Sequence, residues 1–183
     1  MKSVLISIQP KWCELIASGK KTVEVRKSRP NLETPFKVYI YCTNWKENTY
    51  WKNHYKGKLG KVIGEFVCDE ITPLFNVATT SWNLLAGNVH EYAKALVRMA
   101  RLTEEEIHSY AKGKNCYAWH ISDLVIYDKP RELSEFLIDC KNCSKKFVGD
   151  PNCWQGCVNG YRRLTRPPQS WCYVECVESE DTE

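Results

Sequence analysis

Short runs of β-branched and aromatic residues recur along the whole chain, with few helical segments between them. Such runs, bounded by glycine, proline and other turn residues, predict β-strands. They lie at residues 2–8, 20–26, 36–41, 60–68, 116–127 and 170–177. Strands that follow one another this closely leave little room for the crossover helices of a doubly wound parallel sheet. The sequence therefore predicts an α+β fold that is mainly β, with a small, mostly antiparallel β-barrel.

Helical spacing is confined to three segments. Residues 10–18 begin at a proline, which suits the first helical position, and end before Gly19. An apolar stripe at helical spacing follows over 89–97. Thr103 and Glu106 form a capping-box pattern for a further short helix. We expect these helices to lie at the mouth of the barrel.

Three other segments carry weaker signals. The polar and aromatic residues 43–57 are predicted to be irregular. Pro130 is expected to end the long strand that begins at residue 116, because proline cannot donate a backbone hydrogen bond. Residues 132–138 are predicted to form one or two helical turns.

The length of 183 residues favours a single domain. No apolar run approaches the roughly 20 residues that a membrane span needs, so no membrane association is expected. The N-terminal segment has the pattern of a strand and lacks the small-residue cleavage site of a signal peptide. These features predict a cytoplasmic protein. The acidic residues at 178–183 are expected to form a disordered tail.

Positive charge is concentrated in the first third of the chain. Residues 1–61 hold 13 lysines and arginines against 4 acids, whereas the whole chain carries a net charge of +4. A basic region of this kind favours a polyanionic partner, and nucleic acid is the first candidate. The alternative is a lysine-rich surface that only keeps the protein soluble. Charge alone does not distinguish RNA from DNA.

Four of the ten cysteines fall close together, at Cys140, Cys143, Cys153 and Cys157. Two close pairs separated by a short loop suit a tetrahedral zinc ion, because each pair supplies two thiolates from one turn. Residues 139–158 are therefore predicted to be an insert that holds a structural zinc. A catalytic zinc is not expected, since four thiolates leave no position for water. The alternative is four thiols in a flexible insert.

The segment from Gly19 to Arg26 carries the strongest chemical signal. With Val23 and Val25 in the core, the alternation of a strand places Lys20, Thr22, Glu24 and Arg26 on the opposite face. The direction of Lys21, at the strand start, is not fixed by this alternation. A carboxylate between cations has two interpretations: a solvated ladder of charges, or a polar cleft for a phosphate or a base.

The Gly-Lys-Lys-Thr-Val-Glu-Val-Arg pattern of residues 19–26, together with Ile8–Trp12, resembles the N-terminal signature of the ASCH domain family. These domains belong to the PUA-like superfamily of small β-barrels. The likeness extends over most of the chain, and only the cysteine insert lies outside the minimal domain. Its other segments are residues 36–43, 60–66, 119–124 and 166–171.

The resemblance implies a cleft between barrel and helices that suits RNA or a nucleotide. Lys20, Lys21, Glu24 and Arg26 would line it. On the resemblance alone, Gln169 and Ser170 would contact a base from the cleft. These two residues precede the last predicted strand.

The resemblance also implies two enzymatic alternatives. Some family members are reported as ribonucleases, and a short bacterial branch hydrolyses the acetyl amide of N4-acetylcytidine. That branch uses a lysine, which Lys21 matches, and a threonine three residues later, where this chain has Glu24. Its distant glutamate has only candidates here, Glu91 and Glu104. If the protein is an enzyme, Lys21 and Glu24 are the predicted catalytic residues, with Glu24 as a general base on water.

Several further residues have both functional and structural interpretations. His120 is interpreted as structural, because no partner is evident for it in the sequence. The aromatic residues of 45–55 alternate with lysines, which is typical of single-strand binding, but a loop folded onto the barrel is the favoured alternative. Arg162, Arg163 and Arg166 would extend or flank a nucleic-acid surface.

Binding of RNA or a nucleotide is the function that the sequence favours. A third alternative is a zinc-stabilised protein-interaction adaptor that uses residues 139–163 as its contact surface. Absence of zinc from the purified protein would remove the basis of that alternative. The protein partner itself is not indicated by the sequence.

Overall fold

The fold was analysed in a computed structural model that describes residues 2–44, 49–74, 88–140, 157 and 160–176. These residues form ten strands and four helices. In chain order they are β1 (Ser3–Ile8), α1 (Pro10–Ala17), β2 (Val23–Arg26), β3 (Phe36–Cys42), α2 (Thr49–His54), β4 (Lys61–Cys68), β5 (Ile71–Leu74), α3 (Asn88–Met99), α4 (Glu104–Ala111), β6 (Cys116–His120), β7 (Ser122–Arg131), β8 (Phe136–Asp139), β9 (Tyr161–Arg163) and β10 (Trp171–Cys176). A 3₁₀ turn, Leu133–Glu135, separates β7 from β8.

The chain divides into two compact units. The first comprises residues 1–10, 38–64 and 127–183, and the second comprises residues 11–37 and 65–126. The strands form one sheet in the order β7-β4-β3-β1-β10-β8-β9 and another in the order β2-β6-β5.

In the first unit, β1 pairs in parallel with β3 and antiparallel with β10. All six residues of β1 are buried, as expected for a strand with a neighbour on each side. The core beside it is built from seven apolar side chains, namely Leu5, Tyr39, Tyr41, Val62, Phe136, Leu164 and Val174. The parallel pair requires a long connection, and α1 and β2 lie within that connection.

In the second unit, β6 pairs antiparallel with β2 on one side and β5 on the other. Val23 and Val25 of β2 pack into a core that α3 and α4 complete with Leu96, Val97 and Ile107. The capping box predicted for α4 is present. The Thr103 side chain accepts a hydrogen bond from the Glu106 backbone, and the Glu106 side chain accepts one from the Thr103 backbone.

The mainly β fold is confirmed, whereas the closed barrel is wrong for the part of the chain that is described. Its seven-stranded sheet has β7 and β9 as its two ends, and it is mixed because of the parallel β1–β3 pair. Strand β2, from the predicted segment 20–26, pairs with β6 in a separate three-stranded sheet, and β5 pairs with the other side of β6. Closure of a barrel depends on which strands meet across the fold, and residue alternation does not contain that information.

Four local expectations also differ from the structure. The strand predicted over 116–127 is two strands, with Asp123 at a positive φ of 45° just after their junction. Pro130 lies within β7, which is an edge strand of the seven-stranded sheet. An edge strand accommodates proline because one of its sides has no neighbouring strand to which an N–H must donate. Residues 132–138 form a 3₁₀ turn and the start of β8. Helix α2 occupies part of the segment expected to be irregular, and β5 was not predicted.

Among the described residues, none of the helices combines the length and apolar character that crossing a membrane requires.

Candidate functional site

The end of α1 fixes where β2 begins. Gly19 adopts a φ of +70°, which glycine accommodates without strain, and its N–H donates to the Ile16 carbonyl at 2.8 Å. The N–H of Lys21 then donates to the Leu15 carbonyl at 2.9 Å. These bonds satisfy the last carbonyls of the helix, and they bring Lys21 to the start of the strand.

Strand β2 is buried along its whole length. Val23 and Val25 face the helices, and Glu24 and Arg26 therefore face the other side of the sheet. The register places Glu24 opposite Trp119 and Arg26 opposite Tyr117 on β6. Directly opposed residues share a face, so both charged side chains lie beside aromatic neighbours.

Lys21, Glu24 and Arg26 form a buried charge cluster, which we call the β2 cluster. The Lys21 Nζ lies 3.2 Å from Glu24 Oε2, and an Arg26 guanidinium nitrogen lies 3.0 Å from Glu24 Oε1. The side chains are only 2%, 8% and 9% exposed, respectively. One carboxylate thus binds two cations, one at each oxygen, and the cluster carries a net positive charge.

The residue that follows α3 supplies a second partner to Lys21. Its Nζ donates to the Ala100 carbonyl at 2.7 Å, and the Thr22 N–H donates to the Met99 carbonyl at 3.2 Å. Burial lowers the pKa of Lys21 from its usual value, although the adjacent Glu24 carboxylate opposes that shift. A lysine in such surroundings is easier to deprotonate than a surface lysine, which is a common property of functional sites.

Aromatic and charged residues of α1 and α4 border the β2 cluster. The Lys21 Nζ lies 5.0 Å from the ring centroid of Trp12, and the Lys11 Nζ lies 4.3 Å from the same centroid. Lys11 also pairs with Glu106 at 3.7 Å. The Trp12 ring is thus in contact with two ammonium groups, which is an attractive arrangement for a ring quadrupole.

The predicted site residues do not all have the same environment. Lys21, Glu24 and Arg26 are brought together. Lys20 is exposed, and its carbonyl accepts a hydrogen bond from Arg101 Nε at 2.6 Å. Gln169 and Ser170 belong to the first compact unit, where the Ser170 carbonyl accepts a hydrogen bond from the Ser7 N–H at 2.9 Å. Their role in binding stays a prediction.

The structure adds a pair that the sequence analysis missed. His120 Nδ1 lies 2.7 Å from Asp69 Oδ1, although 51 residues separate them. Partial desolvation raises the pKa of Asp69, but hydrogen bonds from His120 and Ser122 outweigh it and leave that pKa below its usual value. No local pattern indicates this pair, because only the fold brings β6 beside the end of β4.

Other candidate residues are only partly described. Cys140 and Cys157 are buried, whereas Cys143 and Cys153 lie outside the described residues. No group of three or more metal-ligating side chains occurs within the described ranges, so the structural zinc stays a prediction. Glu104 is exposed at the start of α4, and the Glu91 side chain is not among those described.

The aromatic segment 45–55 and the arginine cluster give no clear site. Residues 45–48 lie outside the described ranges. Tyr50 is exposed and stacks on His54 with ring centroids 4.0 Å apart, and Tyr55 is buried. Arg163 donates to the Ser134 carbonyl at 2.7 Å, which is a structural contact within the first unit.

The family model of the ASCH domain matches residues 6–130. The chain belongs to the ASCH domain family. The β2 cluster and its α1, α3, α4 and β6 neighbours all lie within the matched range. A comparison with curated proteins gives no match.

Solved structures support the same fold. Crystal structures of ASCH from Zymomonas mobilis, of the protein and of a Tyr-to-Phe variant, share 22% identity with this ASCH chain at a TM-score of 0.56. The alignments cover 94% and 96% of this chain and 87% and 91% of those chains, respectively. At this identity the comparison establishes the fold.

Removing the charge of Glu24 should destabilise the protein strongly. Glu24→Gln leaves Lys21 and Arg26 buried without their shared carboxylate, and breaking a buried pair in this way costs about 3–5 kcal/mol. The matched control is Asp139→Asn, which removes an exposed pair with Lys2 and should cost about 0–1 kcal/mol. Urea denaturation of both variants measures the difference, and equal losses would contradict the structural role of the cluster.

Proposed function

We propose that this ASCH domain binds RNA or a nucleotide through the β2 cluster. The observation that carries the proposal is the burial of two cations around one carboxylate on a single strand. A buried ion pair contributes little net stability, because desolvation offsets the attraction between its charges. Two buried cations beside one acid are therefore better explained by a bound anion than by folding.

The cluster and its neighbours suit both the phosphate and the base of a nucleotide. The Arg26 guanidinium offers a planar fork of donors that matches phosphate oxygens, and the Lys21 ammonium adds a compact charge. Glu24 holds both cations in place, and its carboxylate can also accept hydrogen bonds from a base. The neighbouring Trp12 ring supplies an apolar surface of the kind on which bases stack.

Local charge favours the same class of ligand. The basic excess of residues 1–61 includes the β2 cluster and Lys11. The ASCH family is consistent with a PUA-like fold of the RNA-binding type. Recognition of one base requires buried polar groups that are already held in position, and the β2 cluster provides these better than flexible surface lysines do.

Arg26 tests this proposal directly. Arg26→Lys keeps the charge but loses the guanidinium fork, so we expect about 10-fold weaker binding of cytidine monophosphate, since a hydrogen bond to a charged group is worth about 1.5–3 kcal/mol. Isothermal titration calorimetry measures the affinity, and circular dichroism confirms folding. The matched control, Lys37→Ala, removes a lysine that pairs with Glu65 and should leave the affinity unchanged. Equal affinity in Arg26→Lys and the unmutated protein would overturn the proposal.

The pH dependence of binding should report Lys21. Burial holds its pKa in the folded protein below the usual 10.5, so the ammonium is lost at a lower pH than that of a surface lysine. Affinity for cytidine monophosphate should therefore fall at a pH below 10.5. Lys21→Arg should keep its affinity over the same range, because arginine stays protonated. A parallel decline in both proteins would show that Lys21 is not the titrating group.

A hydrolase acting on nucleic acid or modified nucleosides is the second candidate. The 3.2 Å contact between Lys21 Nζ and Glu24 Oε2 favours it, because it places a cation beside a carboxylate that can act as a base. In the amidohydrolase form, Glu24 would take a proton from water, and the resulting hydroxide would attack the acetyl carbonyl of N4-acetylcytidine. Lys21 would stabilise the oxyanion of the tetrahedral intermediate, and Glu24 would return its proton to the departing N4 nitrogen as the C–N bond breaks. The products would be the cytidine amine and acetic acid, which loses its proton to water as acetate. In the ribonuclease form, the phosphodiester chain would be cut instead.

Intact mass spectrometry of a short RNA that carries one N4-acetylcytidine separates these outcomes. Loss of one acetyl group identifies the amidohydrolase, and shorter chains identify a ribonuclease. Either activity should disappear in Lys21→Met while Lys37→Ala retains it. An unchanged RNA mass would exclude both reactions and leave the binding function.

A further inference from the structure

The end of β2 and the turn between α4 and β6 lie together beside the β2 cluster. Lys27 follows Arg26 directly, and its Nζ lies 4.8 Å from the ring centroid of Tyr110 at the end of α4. A hydrogen bond also links the Tyr110 hydroxyl to the Lys27 backbone. Burial raises the pKa of Cys116, the first residue of β6, and the nearby charge of Lys27 opposes that rise. The two segments are therefore neighbours in space within the second compact unit.

These two segments contain cations and no acids. Residues 25–32 and 107–117 include neither aspartate nor glutamate. Their lysines and arginines are Arg26, Lys27, Arg29, Lys112 and Lys114. An acid-free group of five cations is the electrostatic pattern of a surface that binds phosphates.

Two tyrosines interrupt these cations, and each is held beside one of them. Tyr110 is 38% exposed, so its ring is accessible to a ligand. Tyr117 is half-buried opposite Arg26, and the Arg29 guanidinium carbon lies 6.0 Å from its ring centroid. Rings that are fixed in this way lose little conformational freedom when a base stacks on them.

We propose that this surface binds the nucleotides of single-stranded RNA that flank the nucleotide at the β2 cluster. We call it the flanking surface, and it consists of Lys27, Arg29, Tyr110, Lys112, Lys114 and Tyr117. The inference rests on the proposed function, and it deepens it by naming an extended strand as the ligand. Tyr110 lies near the β2 cluster, because the charge of Arg26 lowers the pKa of its hydroxyl and the charge of Glu24 raises that pKa.

The chemistry favours a single strand over a duplex. Bases in a duplex are stacked on one another, so aromatic side chains reach only their edges. An unpaired strand can place a base on each tyrosine ring while its phosphates contact the neighbouring lysines and arginines. Each stacked base and each neutralised phosphate adds to the affinity for an oligonucleotide, but neither adds to the affinity for a mononucleotide.

The test compares cytidine monophosphate with a fluorescein-labelled nine-nucleotide RNA of unstructured sequence. Tyr110→Leu should weaken RNA binding about 10-fold, because stacking of one base is worth that much, and should leave mononucleotide binding unchanged. The double variant Lys27→Ala with Arg29→Ala removes two phosphate contacts. It should lower the slope of log affinity against log salt concentration by about 1.4.

The matched control for Tyr110→Leu is Tyr92→Leu. Tyr92 is a more exposed tyrosine in the same unit, at 49% against 38%, and its hydroxyl donates to Glu70 Oε1 at 3.2 Å. This variant should bind RNA as the unmutated protein does. Tyr110→Phe is a second control, because it keeps the aromatic ring and removes only the hydroxyl. This variant should retain RNA binding.

The outcomes separate failure of this inference from failure of the proposed function. If Arg26→Lys weakens both ligands but Tyr110→Leu weakens neither, the flanking surface is overturned while the β2 cluster stands. If the unmutated protein binds neither ligand, the proposed function fails. Tighter binding of the matching DNA strand, or of the RNA duplex, would overturn the assignment to single-stranded RNA.

Discussion

The carboxylate of Glu24, buried between Lys21 and Arg26, is the point at which several elements of the second compact unit meet. A buried charge is costly unless it is paired, and here three charged groups satisfy one another at 3.0–3.2 Å. This arrangement requires several elements at once. The glycine turn after α1 delivers Lys21, the Ala100 carbonyl at the end of α3 anchors its ammonium, and β6 holds β2 in register. The cluster therefore links local turns to the assembly of the sheet.

Strand β2 serves packing and chemistry with alternate residues. Val23 and Val25 enter the core beneath α3 and α4, and Glu24 and Arg26 face the other side of the sheet. Because every residue of the strand is buried, a small shift of register would place charges in the apolar core. The chemistry is therefore built on a rigid element, which favours ligand binding without large rearrangement. ASCH crystal structures with 22% identity share this fold.

Much of the local structure was predictable, because it depends on neighbouring residues. The helix that begins at Pro10 and the capping box of Thr103 and Glu106 were both found. The direction of Lys21 was not predictable, because the twist at a strand start is set by the residues packed around it. His120 was interpreted as a satisfied structural residue, but its partner, Asp69, could not be named because 51 residues separate the two. The open, mixed sheet likewise depends on contacts between distant strands.

The family, the mainly β character and the strand that carries the charged residues were all predictable from local features of the chain. These properties follow from a short motif, from residue preferences and from alternation, all of which are local. Only the tertiary structure decided that Lys21 joins Glu24 and Arg26, that the strand is buried, and that Lys27 and Tyr110 lie side by side. The physical reason is that burial and charge pairing depend on segments far apart in the chain, which come together only when the sheet and helices pack.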